Sequence, residues 1–141
     1  MLISTKGRYA LCVLTDIAEN EGEDRYISLK EIAERQDVPR KYLESIMTVL
    51  SKNGLIDAMH GKGGGYRLVK KPEEYNLYDI LLITEESLAP VPCIGPNAVA
   101  CEKCDKCCTF EIWKQLDNMI YEFFSKKTIR DLMFCTNKKQ V

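Results

Sequence analysis

Ser28 to Val69 reads SLKEIAERQDVPRKYLESIMTVLSKNGLIDAMHGKGGGYRLV, and this stretch decides the fold. Ser28-Leu29-Lys30-Glu31 has the pattern of a capping box, in which the Ser hydroxyl takes the Glu31 N–H and the Glu31 carboxylate reaches back. Leu29, Ile32 and Ala33 face inward on a short helix that ends near Gln36. After a tight turn, Pro39 suits the first position of a second helix, where a missing N–H costs nothing. Tyr42, Leu43, Ile46, Met47, Val49 and Leu50 form its buried side, and Asn53-Gly54 stops it with a left-handed cap. The period then changes. Residues 55–60 and 66–69 read as strands on either side of the glycine-rich tip Gly61-Lys62-Gly63-Gly64-Gly65. Two helices joined by a tight turn and followed by a hairpin predict a winged helix.

Charge agrees with that reading. Between Val38 and Lys71 stand seven basic residues (Arg40, Lys41, Lys52, Lys62, Arg67, Lys70, Lys71) and two acidic ones (Glu44, Asp57), in a chain of formal net charge -1. A basic window in an otherwise acidic chain is an electrostatic footprint for nucleic-acid phosphate. The glycine run lies between strands, so it is not a dinucleotide fingerprint. Lys62 is followed by Gly63, so it is not a P-loop. The readings left are a bare hairpin turn and a tip whose glycines and Lys62 let backbone approach DNA closely.

Outward from this core, Ala10, Val13, Leu14, Ile17 and Ala18 predict a first helix from Thr5 to about Glu19. Cys12 lies off that stripe and reads as a small packing residue in a partner contact. Asn76-Leu77-Tyr78-Asp79 caps a further helix packed by Leu77, Ile80, Leu81 and Ile83. Pro90 and Pro92 break the chain. Ile112, Leu116, Met119 and Phe123 then predict a long helix from Phe110 to Phe124, whose apolar face either covers the core or forms a dimer seam. Thr128 caps a last short helix reaching Phe134, with Cys135 and the polar tail fraying beyond it.

Between the proline break and the long helix lies CIGPNAVACEKCDKCC, residues 93–108, which holds five of the seven cysteines. Several thiolates on one loop suit a soft cation or an iron–sulfur cluster. No signal peptide or membrane-length apolar run is visible, so a cytoplasmic location with reduced thiols is expected, and metal or redox chemistry is favoured over disulfides. The only histidine, His60, sits in the wing, and no Ser-His-Asp or paired-carboxylate arrangement exists, so no enzyme is expected. A small electron carrier would need the sulfur loop but not the basic window.

The opening ISTKGRYAL, the segment YLESIMTVLSKNGLI, the GGGY wing and the later Cys101-x5-Cys107-x2-Phe-Glu-Ile-Trp stretch occur in this order over nearly the whole chain. Together they resemble the IscR/NsrR/CymR-type family of small winged helix-turn-helix transcriptional regulators. The resemblance implies a homodimer on a palindromic double-stranded operator. It places Lys41, Glu44 and Ser45 on the base-reading face of the second helix of the pair, and His60, Gly61 and Lys62 at the wing. Arg40 and Gly63 join them from the basic window and the tip. His60 stands where relatives carry an arginine.

The resemblance also implies that Cys93, Cys101 and Cys107 hold an iron–sulfur cluster. The usual fourth ligands of the family are replaced by Phe110 and Arg8, so Cys104, or Cys108, becomes the fourth. A [2Fe–2S] cluster ranks ahead of [4Fe–4S], although Cys101, Cys104 and Cys107 form the C-x2-C-x2-C run of bacterial ferredoxins. Tetrahedral zinc on four thiolates is the alternative, metal-free thiol switching is a third, and a regulator with structural cysteines that reads a different effector is a fourth.

The expected architecture is therefore mainly α with a small β-hairpin wing. Residues 1–90 form the winged helix-turn-helix domain, 91–108 the cysteine loop, and 109–141 the dimerisation helix and tail.

Overall fold

A computed structural model of the chain describes residues 3–22 and 25–135, with Cys104 described in its backbone only. The expected tail, residues 136–141, lies outside the described residues. Helix α1 (Thr5–Asn20) begins at Ser4, whose hydroxyl accepts the Gly7 N–H at 3.0 Å. Its stripe of Ala10, Val13, Leu14 and Ile17 is fully buried, as the spacing predicts. One acidic residue goes in with them. Asp16 is 4% exposed. Its carboxylate accepts from Arg35 Nη2 at 2.7 Å and Nε at 3.0 Å, and from Gln36 Nε2 at 2.8 Å. A carboxylate can be buried at tolerable cost only when it is paired and hydrogen-bonded in this way. The bond to Asp16 in turn raises the Arg35 guanidinium above its ordinary pKa.

Arg35 and Gln36 end helix α2 (Leu29–Gln36), so Asp16 fixes α2 against α1. Ser28 caps α2 as expected, accepting the Glu31 N–H at 3.1 Å. The reciprocal half of the capping box is replaced. Glu31 instead accepts from Arg25 at 2.8 Å and from Arg35 at 3.4 Å, because two guanidiniums outcompete a backbone amide for its carboxylate. The turn into helix α3 (Arg40–Lys52) is made by Asp37 at φ 53°, the left-handed conformation that Asp tolerates better than most residues. Pro39 falls at the N-cap, one place before the first helical position. Gly54, at φ 71°, ends the helix.

Strands β1 (Ile56–Met59) and β2 (Gly65–Leu68) pair antiparallel, from Ile56↔Leu68 at the base to Met59↔Gly65 at the tip. Three tethers hold this wing. Ile27 bridges Tyr66 through two 2.8 Å backbone bonds. The buried Tyr75 hydroxyl donates to Leu55 O at 2.6 Å and accepts Val69 N–H at 3.0 Å. Glu21, at the end of α1, accepts Leu68 N–H at 2.8 Å, and partial burial raises its carboxyl above the usual range.

Asn76 caps helix α4 (Leu77–Thr84) through Tyr78 and Asp79 N–H, at 2.8 and 3.3 Å. Just beyond α4, Glu85 accepts from Ser4 N at 3.0 Å and from Ser4 Oγ at 2.6 Å. A Cβ at Gly7 would stand 2.2 Å from that carboxylate, so a larger residue there would displace the Glu85 side chain from its bonds to Ser4.

Helix α5 (Phe110–Ser125) has no buried residue. Of the two readings of its apolar face, covering the core is not the one seen. Phe124 packs at the core's edge, and Tyr121 meets Tyr78 of α4 edge-on at 4.9 Å between centroids. Met119 (67%) and Phe123 (59%) face outward. Helix α6 (Ile129–Leu132) carries the expected capping box, Thr128 N–H to Asp131 Oδ2 at 2.8 Å, and ends before Phe134. Among the described residues no helix is long and apolar enough to cross a membrane.

Replacing Asp16 by Ala should lower unfolding stability by about 2 kcal/mol in urea titrations. This is below the usual cost of breaking a buried pair, because Arg35 can turn toward water.

Candidate nucleic-acid interface and metal centre

The amphipathic pattern of α3 sorts its side chains. Leu43, Ile46, Met47 and Leu50 are buried, which turns Arg40, Lys41, Glu44 and Ser45 to the exposed face. Thr48 shares that face and was not among the expected reading residues. The Ser45 hydroxyl donates to Tyr42 O at 2.6 Å and the Thr48 hydroxyl to Glu44 O at 2.9 Å. Each keeps lone pairs that can accept from a base edge or another donor. Lys41 and Arg40 present charge suited to phosphate, and Glu44 an acceptor suited to cytosine N4.

At the wing, His60, Gly61, Lys62 and Gly63 are all exposed. The hairpin's own geometry accounts for its glycines. Gly61 and Gly63 adopt φ 94° and 77°. A Cβ at Gly64 would lie 2.1 Å from Met59 O, and one at Gly65 would lie 2.2 Å from Ile27 O. The run is thus what a tight tip pressed against the Ile27 bridge requires, and Lys62 and His60 are the side chains left exposed at the tip. Behind the tip, Asp57 accepts the Tyr26 hydroxyl at 2.8 Å and pairs with Arg67 at 3.3 Å, while Arg67 stacks on the Tyr26 ring at 4.7 Å. Sequence reasoning had counted Arg67 as basic charge only. Its stacking was hidden because Tyr26 is remote in sequence.

The cysteine loop is anchored near its start by buried Ile94 and by Val99 N–H to Pro92 O at 3.0 Å. Cys93 is half-buried, and Cys101, Cys107 and Cys108 are exposed. Cys104 opens a single 3₁₀ turn, Cys104–Lys106. Among the described residues no three His, Cys, Asp or Glu side chains stand close enough to hold a metal ion. Of the expected ligand set, Cys93, Cys101 and Cys107 are therefore not preassembled. Cys107 is two residues ahead of Thr109, the N-cap of α5, and its Sγ lies 3.3 Å from Thr109 Oγ1. That hydroxyl and the backbone N–H groups of Thr109 and Phe110 stabilise the thiolate, so the Cys107 thiol titrates below its ordinary value.

A family model for Rrf2, described as an iron-dependent transcriptional regulator, matches residues 3–134. The chain belongs to the Rrf2 family. Protein rrf2 of Nitratidesulfovibrio vulgaris is 37% identical over 133 residues, 94% of this chain and 87% of that one. The HTH-type transcriptional regulator IscR of Photorhabdus laumondii is 33% identical over 133 residues, 94% of this chain and 79% of that one. Among solved structures, CymR, the global cysteine regulator of B. subtilis, superposes with a TM-score of 0.77 at 30% identity, covering 94% of this chain and 95% of that one. These Rrf2 relatives are transcriptional regulators, and the winged-helix fold expected from the sequence is the one they share.

Thr109→Val removes the hydroxyl that holds the Cys107 thiolate. In the metal-free protein, the pH profile of Cys107 alkylation by iodoacetamide should then move to higher pH.

Proposed function

We propose that this Rrf2 regulator binds a palindromic operator as a homodimer, and that an iron–sulfur cluster on the 93–108 loop sets its operator affinity. The single observation that carries this reading is where the loop runs. It leaves α4 beside the Ser4–Glu85 bond and enters α5 through Thr109, so it links the DNA-reading head to the helix with the bare apolar face. A change in the loop's shape is felt at both ends. The exposed faces of α3 and the wing supply Arg40, Lys41, Glu44, Ser45, His60, Gly61, Lys62 and Gly63 as the DNA contact. The outward Ile112, Leu116, Met119 and Phe123 supply the seam between two copies.

The donor set suits the cluster chemically. Every candidate ligand is a thiol, those whose side chains are described are exposed or half-buried, and no packing into the core opposes their convergence. Cys93, Cys101 and Cys107, with Cys104 or Cys108, would hold it, [2Fe–2S] ahead of [4Fe–4S]. When bound, the cluster supplies a redox- and iron-responsive charge on the loop. The family's description as iron-dependent favours this over zinc. A second reading has its own support. Cys107 is exposed with a stabilised thiolate, and CymR, a cysteine regulator, is a close structural match, which together suit direct thiol switching.

The test is anaerobic purification with iron and sulfide analysis, followed by operator titration of the loaded protein and of a variant with all five loop cysteines replaced by serine. An affinity difference above tenfold, corresponding to about 1.4 kcal/mol or more, supports cluster control. Equal affinities, with iron bound, would end it. A colourless, iron-free protein whose affinity responds to thiol oxidants would favour the second reading.

Glu44→Ala should relax operator specificity at one base pair by about 1–3 kcal/mol in competition binding. Lys62→Ala should instead weaken all sequences alike and reduce the salt slope by about one.

A further inference from the structure

Two of the seven cysteines lie outside the loop, Cys12 and Cys135. They are at opposite ends of the sequence, yet they line the same groove, about 390 Å³, together with Leu11, Asp16, Gln36 and Leu132. Cys12 lies on α1, and Cys135 follows α6. These two helices approach to within 8 Å between Cα atoms. Cys135 is not carried there loosely. Phe134 takes a left-handed φ of 62°, rare for a bulky residue, and its N–H donates to the Glu19 carboxylate of α1. Cys135 Sγ reaches Asp131 O at 3.5 Å. The chain is thus turned back and hitched to α1, and both thiols are exposed.

We propose that Cys12 and Cys135 form a dithiol site, separate from the loop, that closes to an intramolecular disulfide on reaction with a small-molecule disulfide. One thiolate attacks a sulfur of the oxidant, breaks its S–S bond and releases one small thiol. The second protein thiolate then attacks the mixed disulfide and releases the other small thiol. Two protein thiols are oxidised, the small disulfide is reduced to two thiols, and the thiol protons pass to the released thiolates. The groove gives the oxidant access from solvent, and the α1–α6 packing places both thiols on its lining. Because the bond would close a loop spanning nearly the whole chain, it restrains the unfolded state strongly.

The experiment uses the full chain, prepared anaerobically and incubated with oxidised glutathione, then alkylated, digested and mapped by mass spectrometry without reduction. The expected product is a cross-linked peptide pair joining Cys12 to Cys135, formed whether or not iron is bound. With it, the melting temperature should rise by several degrees, and Cys135→Ser should abolish the rise. In Cys135→Ser, Cys12 should accumulate as the glutathione adduct, because the resolving thiol is gone. Separate glutathione adducts on Cys12 and Cys135 in the parent chain, or pairing of either with a loop cysteine, would overturn the proposal. So would two unreacted thiols. None of these results depends on operator binding, so the outcome is independent of cluster control.

Discussion

The carboxylate of Asp16 is the constraint on which the rest of this fold depends. It sits on a helix that is otherwise buried through aliphatic side chains, and burying it is tolerable only because Arg35 and Gln36 reach it from the end of α2. That requirement fixes α2 against α1. The left-handed turn at Asp37 then fixes α3 against α2, and so decides which way Arg40, Lys41, Glu44 and Ser45 face. The wing is held by the same helix, through Glu21 at the far end of α1. Both the helix pair and the wing hang from one post.

Local chemistry explains what was legible in the sequence. Ser28 and Asn76 cap helices where a short polar side chain precedes an apolar period, each accepting backbone N–H groups of the first turn, and Thr128 N–H donates to the Asp131 carboxylate. The strands and the glycine tip follow from the change of period after Gly54. The bonds that could not be read join residues distant in sequence: Ile27 to Tyr66, Tyr75 to Leu55 and Val69, and Ser4 to Glu85. A capping pattern also says nothing about competing partners, which is why Glu31 turns to two arginines instead of closing its box.

The cysteine loop divides differently. Its chemistry is plain in the sequence, because five thiols in sixteen residues have few other uses. Its geometry is not, because turns such as Ile94 to Val91 and Val99 to Pro92 shape the loop's base without drawing the described thiols together. Helix α5 shows the same division. The periodic apolar face was evident, but whether it met the core or solvent depended on the placement of α4, to which only a narrow edge of α5 is joined through Tyr78 and Tyr121.

The hitch between Ser4 and Glu85 has a practical side. Residues 3–7 are packed against the end of α4, where the Glu85 carboxylate fills the space a side chain at Gly7 would need. A bulky substituent at Ser4 would break its bonds to Glu85 at the junction where the sulfur-bearing segment departs. Labels for handling this protein are better attached on exposed positions of α5's polar side, such as Lys114, than on residues 3–7.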